Sequence, residues 1–416
     1  MTSEEPAEAY VWLWLPGASN PVIAGRVEAT GELVDFNYGQ SYLRRPDAIP
    51  IYDPELPLIR GRIPPLPGLS IAGAIADAGP DAWGKRVIMN RLLGAGSSEL
   101  DPAELSPLTY LLGTGSDRIG ALDFQASASE YIPRYEGHAT LAEMMQAAEL
   151  VERGVALTPS LEQALMHGSS VGGARPKTLL SDGERSLIAK FSSTTDPYPV
   201  VKGEFAAMEL ARRAGLYVAP VRIQEVMGRD VLLVERFDRP PGTSQRRALV
   251  SALTILGLDP MLSRYASYAD LAHIVRARFT EPRDTLRELF ARITFNILAG
   301  NTDDHARNHA AFWDGHMLTL TPAYDVCPQR RSGGEAMQAM IIGPDGYRMS
   351  QVAGVVRAAA VYGLEESEAR DIADRQIDVI RTEWEDVCEL ARMSEVDRAY
   401  FWRRQFLNPY ALEGLG

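Results

Sequence analysis

The sequence predicts an α+β fold with a strand-rich first half and a helix-rich second half. Short apolar runs bounded by turn residues dominate the first part of the chain, whereas from Arg247 onward the apolar spacing is mostly helical. The loop Asn301–Asn308 (N-T-D-D-H-A-R-N) interrupts the helical part with the spacing of a protein-kinase catalytic loop. We therefore expect a bilobal, protein-kinase-like fold with an added β-rich N-terminal subdomain and a mostly helical C-lobe.

Residues 1–125 are expected to form the β-rich subdomain. Three segments have strand-like patterns, namely Tyr10–Leu15, Val22–Glu28 and Leu33–Tyr38. Gly31 lies in a turn between the last two. Asp81–Leu93 is predicted as a helix that an aspartate caps, and Asp117–Phe124 as the closing strand.

Residues 126–239 are expected to form a kinase-like N-lobe, entered through a linker at Ala126–Glu136. Thr140 and Glu143 make a capping box for a helix that ends near Gly154. The following predicted elements are a strand at Ser186–Phe191, a helix at Glu204–Arg213, and strands at Val218–Val226 and Asp230–Glu235.

Residues 240–416 are expected to form the helical C-lobe. A helix over Asp284–Leu298 leads into the Asn301–Asn308 loop. A hairpin follows, with arms Ala310–Trp313 and Met317–Leu320 around Asp314-Gly315.

Length, charge and cysteine content disfavour a nucleic-acid-backbone binder, a disulfide-stabilised protein and a membrane-spanning protein. The chain has 416 residues, 46% of them hydrophobic, which is enough for two or three domains. A net charge of -13 disfavours a generic binder of nucleic-acid backbones. The 2 cysteines form no disulfide framework, no apolar run reaches membrane-spanning length, and the acidic N-terminus lacks a signal-peptide pattern. We expect a cytoplasmic enzyme.

Three side chains carry the expected chemistry. Asp303 and Asn308 have the spacing D-x-x-x-x-N, in which the aspartate accepts the proton of a substrate hydroxyl. Asn308 and Asp325 offer the hard oxygen ligands that Mg²⁺ prefers when phosphate oxygens complete its shell. The alternative is a solvated turn or a helix cap. The order of these residues around a hairpin favours phosphoryl transfer.

A phosphate-covering loop is predicted at Val171-Gly172-Gly173-Ala174, followed by Lys177. Lys190 lies on an apolar strand, where it can reach the α and β phosphates of ATP while Glu204 orients it. The alternatives are a flexible surface turn, an exposed strand-edge lysine and a glutamate at a helix N-terminus.

Glu235-Arg236-Phe237-Asp238 follows the last strand of the predicted N-lobe, where a hinge passes the adenine of ATP. The backbones of Glu235 and Phe237 can read the base edge, and Asp238 can reach the ribose. The alternative is a polar strand end with a local Arg–Asp pair that adds little stability.

With these motifs the chain resembles the HipA family of serine/threonine kinases, the toxins of bacterial toxin–antitoxin pairs. The resemblance spans nearly the whole chain. It rests on the segments F-N-Y-G-Q-S-Y-L-R-R-P, P-D-A-W-G-K-R, D-R-I-G-A-L-D-F, S-V-G-G-A-R-P-K, V-E-R-F-D-R, G-N-T-D-D-H-A-R-N and T-P-A-Y-D-V.

The resemblance implies ATP and Mg²⁺ as cofactors and a role for each matching position. Asp303 is the expected catalytic base, and Asn308 and Asp325 are the expected magnesium ligands. His305 is expected near the phosphates, with a purely structural bracing role as the alternative. Ser170 is the expected autophosphorylation site, and Ser169 is the second candidate. The alternative is that both serines only form hydrogen bonds within a turn. Asp304 is given no catalytic role.

The resemblance also implies partners. A HipB-like helix-turn-helix antitoxin is expected to bind the protein and to carry it to DNA, which the chain would reach only indirectly. The expected substrate is a translation component such as an aminoacyl-tRNA synthetase. Two alternatives remain, a small-molecule or lipid kinase and a pseudokinase co-repressor, although the filled catalytic positions weigh against the second. Because Val326-Cys327 follows Asp325, the D-F-G switch of eukaryotic-type kinases is not expected.

Overall fold

The computed structural model describes residues 5–93, 105–134, 139–155, 157–166, 175–193, 196–331 and 333–415. The chain divides into two compact units. The first consists of Met1–Ser193, Glu225–Val250 and Phe312–His316, and the second of Thr194–Gln224, Ser251–Ala311 and Met317–Gly416. The expected boundary after residue 125 lies inside the first unit, and the division into three domains stays a prediction.

The strands are β1 (Glu8–Leu13), β2 (Val22–Thr30), β3 (Leu33–Tyr38), β4 (Arg62–Ile63), β5 (Leu122–Gln125), β6 (Lys177–Asp182), β7 (Arg185–Phe191), β8 (Val221–Val226), β9 (Arg229–Glu235), β10 (Leu249–Ser251), β11 (Ala310–Trp313) and β12 (Leu318–Leu320). The helices are α1 (Gln40–Leu43), α2 (Gly73–Ala76), α3 (Ala82–Leu93), α4 (Pro107–Gly113), α5 (Leu141–Glu152), α6 (Pro159–Met166), α7 (Val200–Arg213), α8 (Ala252–Ile255), α9 (Tyr268–Arg278), α10 (Pro282–Ala299), α11 (Val352–Arg357), α12 (Glu366–Leu390), α13 (Glu395–Phe401) and α14 (Pro409–Leu412). Short 3₁₀ turns cover Pro260–Tyr265, Ala306–Asn308 and Ala359–Tyr362.

The described part of residues 1–125 contains strands β1–β5 and helices α1–α4, and a separate β-rich subdomain stays a prediction. Among the described residues, an antiparallel five-stranded sheet has the order β4-β3-β2-β1-β5. The third predicted strand has the predicted bounds, and the first begins and ends two residues earlier than predicted. Gly31 makes the turn between β2 and β3 with φ of +61°, a left-handed conformation that glycine adopts without steric cost.

Only the last three residues of the predicted strand Asp117–Phe124 are confirmed, because β5 begins at Leu122. Gly120 has φ of +77°, which turns the chain instead of extending it. Arg118 is fully buried, and its guanidinium donates to Asp123 Oδ1 at 2.8 Å and to the Ala78 carbonyl at 3.2 Å. The turn thus places the charged Arg118 side chain inside the first unit. A buried guanidinium needs hydrogen-bond and ion-pair partners, which Asp123 and the Ala78 carbonyl supply.

A second sheet has the order β6-β7-β9-β8 within the described part of the chain. Apolar side chains of α3, α5, β7 and β9 form one core in the first unit; examples are Trp83, Met144, Leu187 and Leu233. Both predicted helix starts are confirmed. Asp81 Oδ1 accepts from the Trp83 N–H at 3.2 Å, and Thr140 and Glu143 form the capping box.

In the second unit, α10 contacts α9 and α12, and α12 also contacts α7. The predicted helix Asp284–Leu298 is confirmed as α10. In contrast, α7 begins at Val200, one turn before the predicted Glu204. Val200 and Val201 are buried, so their apolar side chains extend the helix toward its N-terminus. Glu204 is consequently a buried residue inside the helix rather than an exposed residue at its start.

The predicted hairpin near the catalytic loop is confirmed. Its arms are β11 and β12, the second beginning one residue later than predicted, and Gly315 at the turn has φ of +102°. A three-stranded sheet with the order β10-β11-β12 contains them in the described part of the chain. Of the helices in the described ranges, none combines the length and apolarity that crossing a membrane requires.

We predict that Gly203→Ala destabilises the second unit. A methyl group at Gly203 in α7 would lie 2.6 Å from the ring of Phe401, which is fully buried against Tyr198 and Phe406. The gain in helix propensity, about 1 kcal/mol, is smaller than an overpacking cost of about 1–3 kcal/mol. Urea unfolding of the full chain measures the shift. Gly334→Ala is the control, because its methyl group would meet nothing within 4 Å.

Candidate active site

The predicted catalytic loop Asn301–Asn308 begins where α10 ends. Gly300 has φ of +73° and caps the helix in the left-handed conformation, with its N–H donating to the Ile297 carbonyl at 3.2 Å. A Cβ atom at Gly300 would lie 2.8 Å from the Gln405 carbonyl oxygen. Backbone conformation and packing therefore both require glycine here. The Asn301 N–H then donates to the Asn296 carbonyl at 2.8 Å, which directs the loop back along the helix.

Asp304 is the centre of the hydrogen bonds that hold the loop, and it is only 2% exposed. Its Oδ2 accepts from Asn296 Nδ2 at 2.7 Å and from the hydroxyl of Tyr268. Its Oδ1 lies 2.9 Å from His309 Nε2. These partners belong to α9, α10 and the end of the loop. The carboxylate thus joins three segments of the second unit.

Asp303 has the opposite environment, because its side chain is exposed. Partial desolvation raises the pKa of this carboxyl group above the ordinary aspartate value, and the charges of Asp325 and Asp304 add to the increase. His305 acts in the opposite direction. An accessible carboxylate with a raised pKa has a greater affinity for a proton, which is the property that a general base needs.

Asn308 is held so that its amide oxygen is available. The residue is 8% exposed and lies in the 3₁₀ turn Ala306–Asn308. Its N–H donates to the His305 carbonyl at 2.8 Å, and its side-chain Nδ2 donates to the Asp303 carbonyl at 3.3 Å. Because the nitrogen is used within the loop, the side-chain oxygen is the atom that can serve a cation.

Asp325 has φ of +59°, a left-handed conformation that is uncommon for a residue with a side chain. The preceding Tyr324 donates its hydroxyl to the Arg307 carbonyl at 2.7 Å, which ties this segment to the catalytic loop. The negative charge of Asp325 is one of the causes that raise the pKa of Asp303. Backbone strain of this kind is often found at functional sites.

The donors fit a magnesium ion that phosphate oxygens help to coordinate. No group of three or more His, Cys, Asp or Glu side chains in the described residues can hold a metal by itself. Asp325 and Asn308 are the residues that would supply hard oxygen atoms to the ion. Mg²⁺ usually needs few protein ligands because it retains water and phosphate oxygens.

His305 is held to the loop through its backbone, and one of its ring nitrogens is buried. Its N–H donates to the Asp303 carbonyl at 2.9 Å, and its Nδ1 is buried without a hydrogen-bond partner among the described residues. Such an atom can accept a hydrogen bond from a ligand or water. The role near the phosphates and the bracing role both stay predictions.

In the first unit, the sheet pairs two of the predicted phosphate-binding lysines. Lys177 on β6 lies directly opposite Lys190 on β7 in antiparallel register, so their side chains emerge on the same face. Contact of either lysine with the phosphates of a nucleotide stays a prediction. The predicted pairing of Lys190 with Glu204 stays a prediction.

The predicted hinge is fixed by buried ion pairs. Arg236 and Asp238 are 3% and 2% exposed and pair at 2.9 Å, and Asp238 Oδ2 also accepts from the Gly120 N–H at 2.8 Å and from Arg239. Burial opposes ionisation of Asp238, but Arg236 and Arg239 outweigh it and lower its pKa. A ribose contact of Asp238 would have to replace one of these bonds and stays a prediction.

Glu235 and Phe237 alternate with the two buried residues of the hinge and are partly exposed. The Glu235 carboxylate pairs with Arg185 at 3.2 Å, and the Phe237 ring packs edge-on against Phe312 at 5.8 Å. Their roles in nucleotide binding stay predictions, as does that of Arg236. The predicted phosphate loop Val171, Gly172, Gly173 and Ala174, and the predicted phosphorylation site Ser170, lie outside the described residues.

The model of the family described as the HipA-like C-terminal domain matches residues 169–384, more than half of the chain. This chain belongs to that family. Two curated HipA-like relatives support the assignment at modest identity. Y4mE of Sinorhizobium fredii, whose name marks it as a candidate kinase, is 30% identical over 181 residues, covering 38% of this chain and 41% of Y4mE. The serine/threonine-protein kinase toxin HipA of Shewanella oneidensis is 29% identical over 183 residues, covering 38% of this chain and 42% of the toxin.

These alignments span about two fifths of the length of the two relatives. A solved complex of Shewanella oneidensis HipA with HipB and its operator DNA is similar over more of the chain, with a TM-score of 0.69 and coverage of 95% of both chains at 19% identity. The likeness shows that the chain has the HipA fold, and the predicted mixed α+β class is confirmed.

Sequence reasoning missed the residues that hold this HipA-like loop in place, namely Tyr268, Asn296, Asp304 and His309. One signal was available. Asp304 and His309 lie between an apolar helix and an apolar strand, where polar side chains are buried only with partners. The partners themselves could not be identified, because Tyr268 is 36 residues away from Asp304.

We predict that Asp304→Asn loosens the loop and lowers stability. The amide nitrogen that replaces one carboxylate oxygen cannot accept a hydrogen bond. A buried donor of Tyr268, Asn296 or His309 therefore loses its acceptor, which lowers the free energy of unfolding by about 1–3 kcal/mol. Amide hydrogen exchange of the loop and the unfolding midpoint are the measurements. Asp374→Asn on the exposed face of α12 is the control. Unchanged exchange and stability in Asp304→Asn would contradict the central role of this carboxylate.

Proposed function

We propose that the protein is an ATP- and Mg²⁺-dependent serine/threonine protein kinase and the toxin of a toxin–antitoxin pair. The observation that carries the proposal is the arrangement of the second unit around Asp303. An exposed carboxylate with a raised pKa lies in one loop with the amide oxygen of Asn308, and the strained Asp325 is near it. Membership in the HipA-like family and the similarity to a HipA kinase toxin support it.

In the proposed reaction, Asp303 accepts the proton of a substrate serine or threonine hydroxyl as its oxygen attacks the γ-phosphorus of ATP. The bond from that phosphorus to the ADP oxygen breaks, and ADP leaves. Asn308 and Asp325 would hold Mg²⁺, which supplies positive charge to the β and γ phosphates. Because its pKa is raised, Asp303 takes up the proton more readily than an ordinary aspartate would.

The proposed nucleotide contacts come from two lysines, the glycine loop and the predicted hinge. Lys177 and Lys190 neutralise phosphate charge, with the Gly172-Gly173 loop covering the phosphates. The backbones of Glu235 and Phe237 read the adenine, and the buried Arg236–Asp238 pair keeps this segment in one conformation. Phosphorylation of Ser170 would add about -1.5 to -2 charges beside that loop and so weaken ATP binding.

We also propose a HipB-like helix-turn-helix antitoxin as partner and the cytoplasm as the location. The solved relative was crystallised with HipB and operator DNA, and a net charge of -13 disfavours tight autonomous binding to DNA. A translation component such as an aminoacyl-tRNA synthetase is the proposed substrate, in keeping with growth arrest by a toxin.

We expect Asp303→Asn to abolish phosphoryl transfer and to leave ATP binding intact, because the proton acceptor is lost while the phosphate contacts remain. Transfer from radiolabelled ATP and calorimetric ATP binding are measured on the full chain. Asp325→Ala is the matched variant, and we expect it to lose the magnesium-dependent part of nucleotide affinity.

Transfer at the wild-type rate by Asp303→Asn would remove this residue from the role of base. A magnesium effect of wild-type size in Asp325→Ala would remove that carboxylate from the metal site. Because transfer and binding are measured separately, each assignment can fail independently of the other.

A gel-shift experiment at physiological salt tests the proposed partner. We expect this chain alone to leave operator DNA unshifted. Added to operator DNA that a HipB-like antitoxin already binds, the chain should slow the antitoxin–DNA complex further, since the acidic chain reaches DNA through that protein. Tight binding of operator DNA by the chain alone would contradict the proposal.

A further inference from the structure

A cavity in the second unit is lined almost entirely by cationic and aromatic side chains. It has a volume of about 590 Å³, and its described lining residues are Pro197, Arg330, Arg331, Gly333, Tyr400 and Arg404. None of these described residues is acidic, although the chain as a whole carries a charge of -13. A concentration of positive charge in an acidic protein indicates a site for an anionic ligand.

Two buried nitrogen atoms of the Arg331 guanidinium lack a hydrogen-bond acceptor among the described residues. Its Nη2 donates to the Gly334 carbonyl at 2.9 Å, but Nε and Nη1 are buried without a hydrogen-bond partner among the described residues. Desolvation lowers the pKa of this guanidinium, with Tyr410 acting weakly in the opposite direction. Because buried charged donors are normally paired, an oxygen-rich anion is the partner that would complete this group.

The opposite wall of the cavity is held in place by aromatic contacts. The Arg404 guanidinium lies over the Tyr400 ring at 5.2 Å, and that ring stacks on Tyr198 at 5.4 Å. Tyr198 in turn donates its hydroxyl to the Pro328 carbonyl at 3.0 Å. The segment that carries Arg330 and Arg331 is therefore tied to the wall that carries Arg404, and little ordering is needed when a ligand binds.

We propose that this arginine-lined cavity binds a phosphomonoester carried by a phosphorylated side chain of a protein segment. A phosphate group presents three acceptor oxygens and about -1.5 to -2 charges at neutral pH, which matches several guanidinium groups. A single carboxylate is satisfied by one arginine fork. The volume leaves room for the side chain and neighbouring backbone that carry the phosphate, and Tyr400 offers an apolar face for them.

The cavity uses none of the residues assigned to the nucleotide, and it adjoins the start of the catalytic loop. Gln329, next to Arg330, donates its N–H to the Gly300 carbonyl at 3.0 Å. Gln405, next to Arg404, packs its backbone against Gly300. A ligand that contacts both arginines therefore braces two segments that hold Gly300. Its effect on catalysis rests on the proposed kinase function, whereas binding itself does not.

Binding is tested by calorimetry without nucleotide, on phosphatase-treated full-length protein. The probes are a peptide with one phosphoserine, the same peptide without phosphate, inorganic phosphate and AMP. We expect the phosphopeptide to bind and the unmodified peptide not to bind. The double variant Arg330→Glu/Arg404→Glu should lose at least tenfold in affinity; both positions are exposed, so the fold tolerates the change. Arg331→Ala should weaken binding similarly, and Arg375→Glu on α12 is the charge-matched control.

Equal affinity for the two peptides, or equal loss in Arg375→Glu, would overturn the site. If AMP or inorganic phosphate binds in the cavity as tightly as the phosphopeptide, with the same loss in the double variant, a free phosphate rather than a protein segment is the ligand and the proposed source is wrong. Phosphoryl transfer by the same variants is measured separately, so an inactive kinase would leave the binding result unaffected.

Discussion

The carboxylate of Asp304 is the constraint on which the candidate site depends. Two adjacent aspartates in the same loop have opposite environments, since Asp304 is buried among donors and Asp303 is exposed. A backbone that fixes one side chain inward necessarily directs its neighbour elsewhere. The bonds from α9, α10 and His309 to Asp304 thus set the position of the proposed base, although Asp304 itself need not contact a substrate.

The first unit also contains buried charged side chains that are held by their partners. Arg118, Arg236, Asp123 and Asp238 are almost completely buried, and each has an oppositely charged partner. Buried pairs of this kind contribute little net stability, because desolvation offsets the Coulomb attraction, but loss of one partner is costly. Their effect is to hold the turn at Gly120 against the segment Arg236–Arg239 in a single arrangement. A predicted hinge that is rigid before ATP binds loses less entropy on binding.

Basic side chains lie together in two of the described parts of this acidic chain. Lys177 and Lys190 lie side by side on one sheet, and Arg330, Arg331 and Arg404 line the cavity of the other unit. Phosphate is the ligand that we propose for both arrangements. The proposed kinase chemistry accounts for the lysines. The cavity has no part in that chemistry, and a second phosphate-bearing ligand accounts for it.

The sequence by itself determined the features that depend on near neighbours in the chain. The capping box of Thr140 and Glu143, the hairpin around Asp314-Gly315 and the spacing of Asp303 and Asn308 involve residues a few positions apart, so local geometry specifies them. Family membership followed from the order of such motifs. Tertiary structure decided the rest. Asp238 accepts from Gly120 across 118 positions and Asp304 from Tyr268 across 36. Burial of Arg118 replaced a predicted strand with a turn, and buried valines lengthened α7. These outcomes depend on contacts between residues far apart in the sequence. A local sequence pattern does not specify which distant groups will pair.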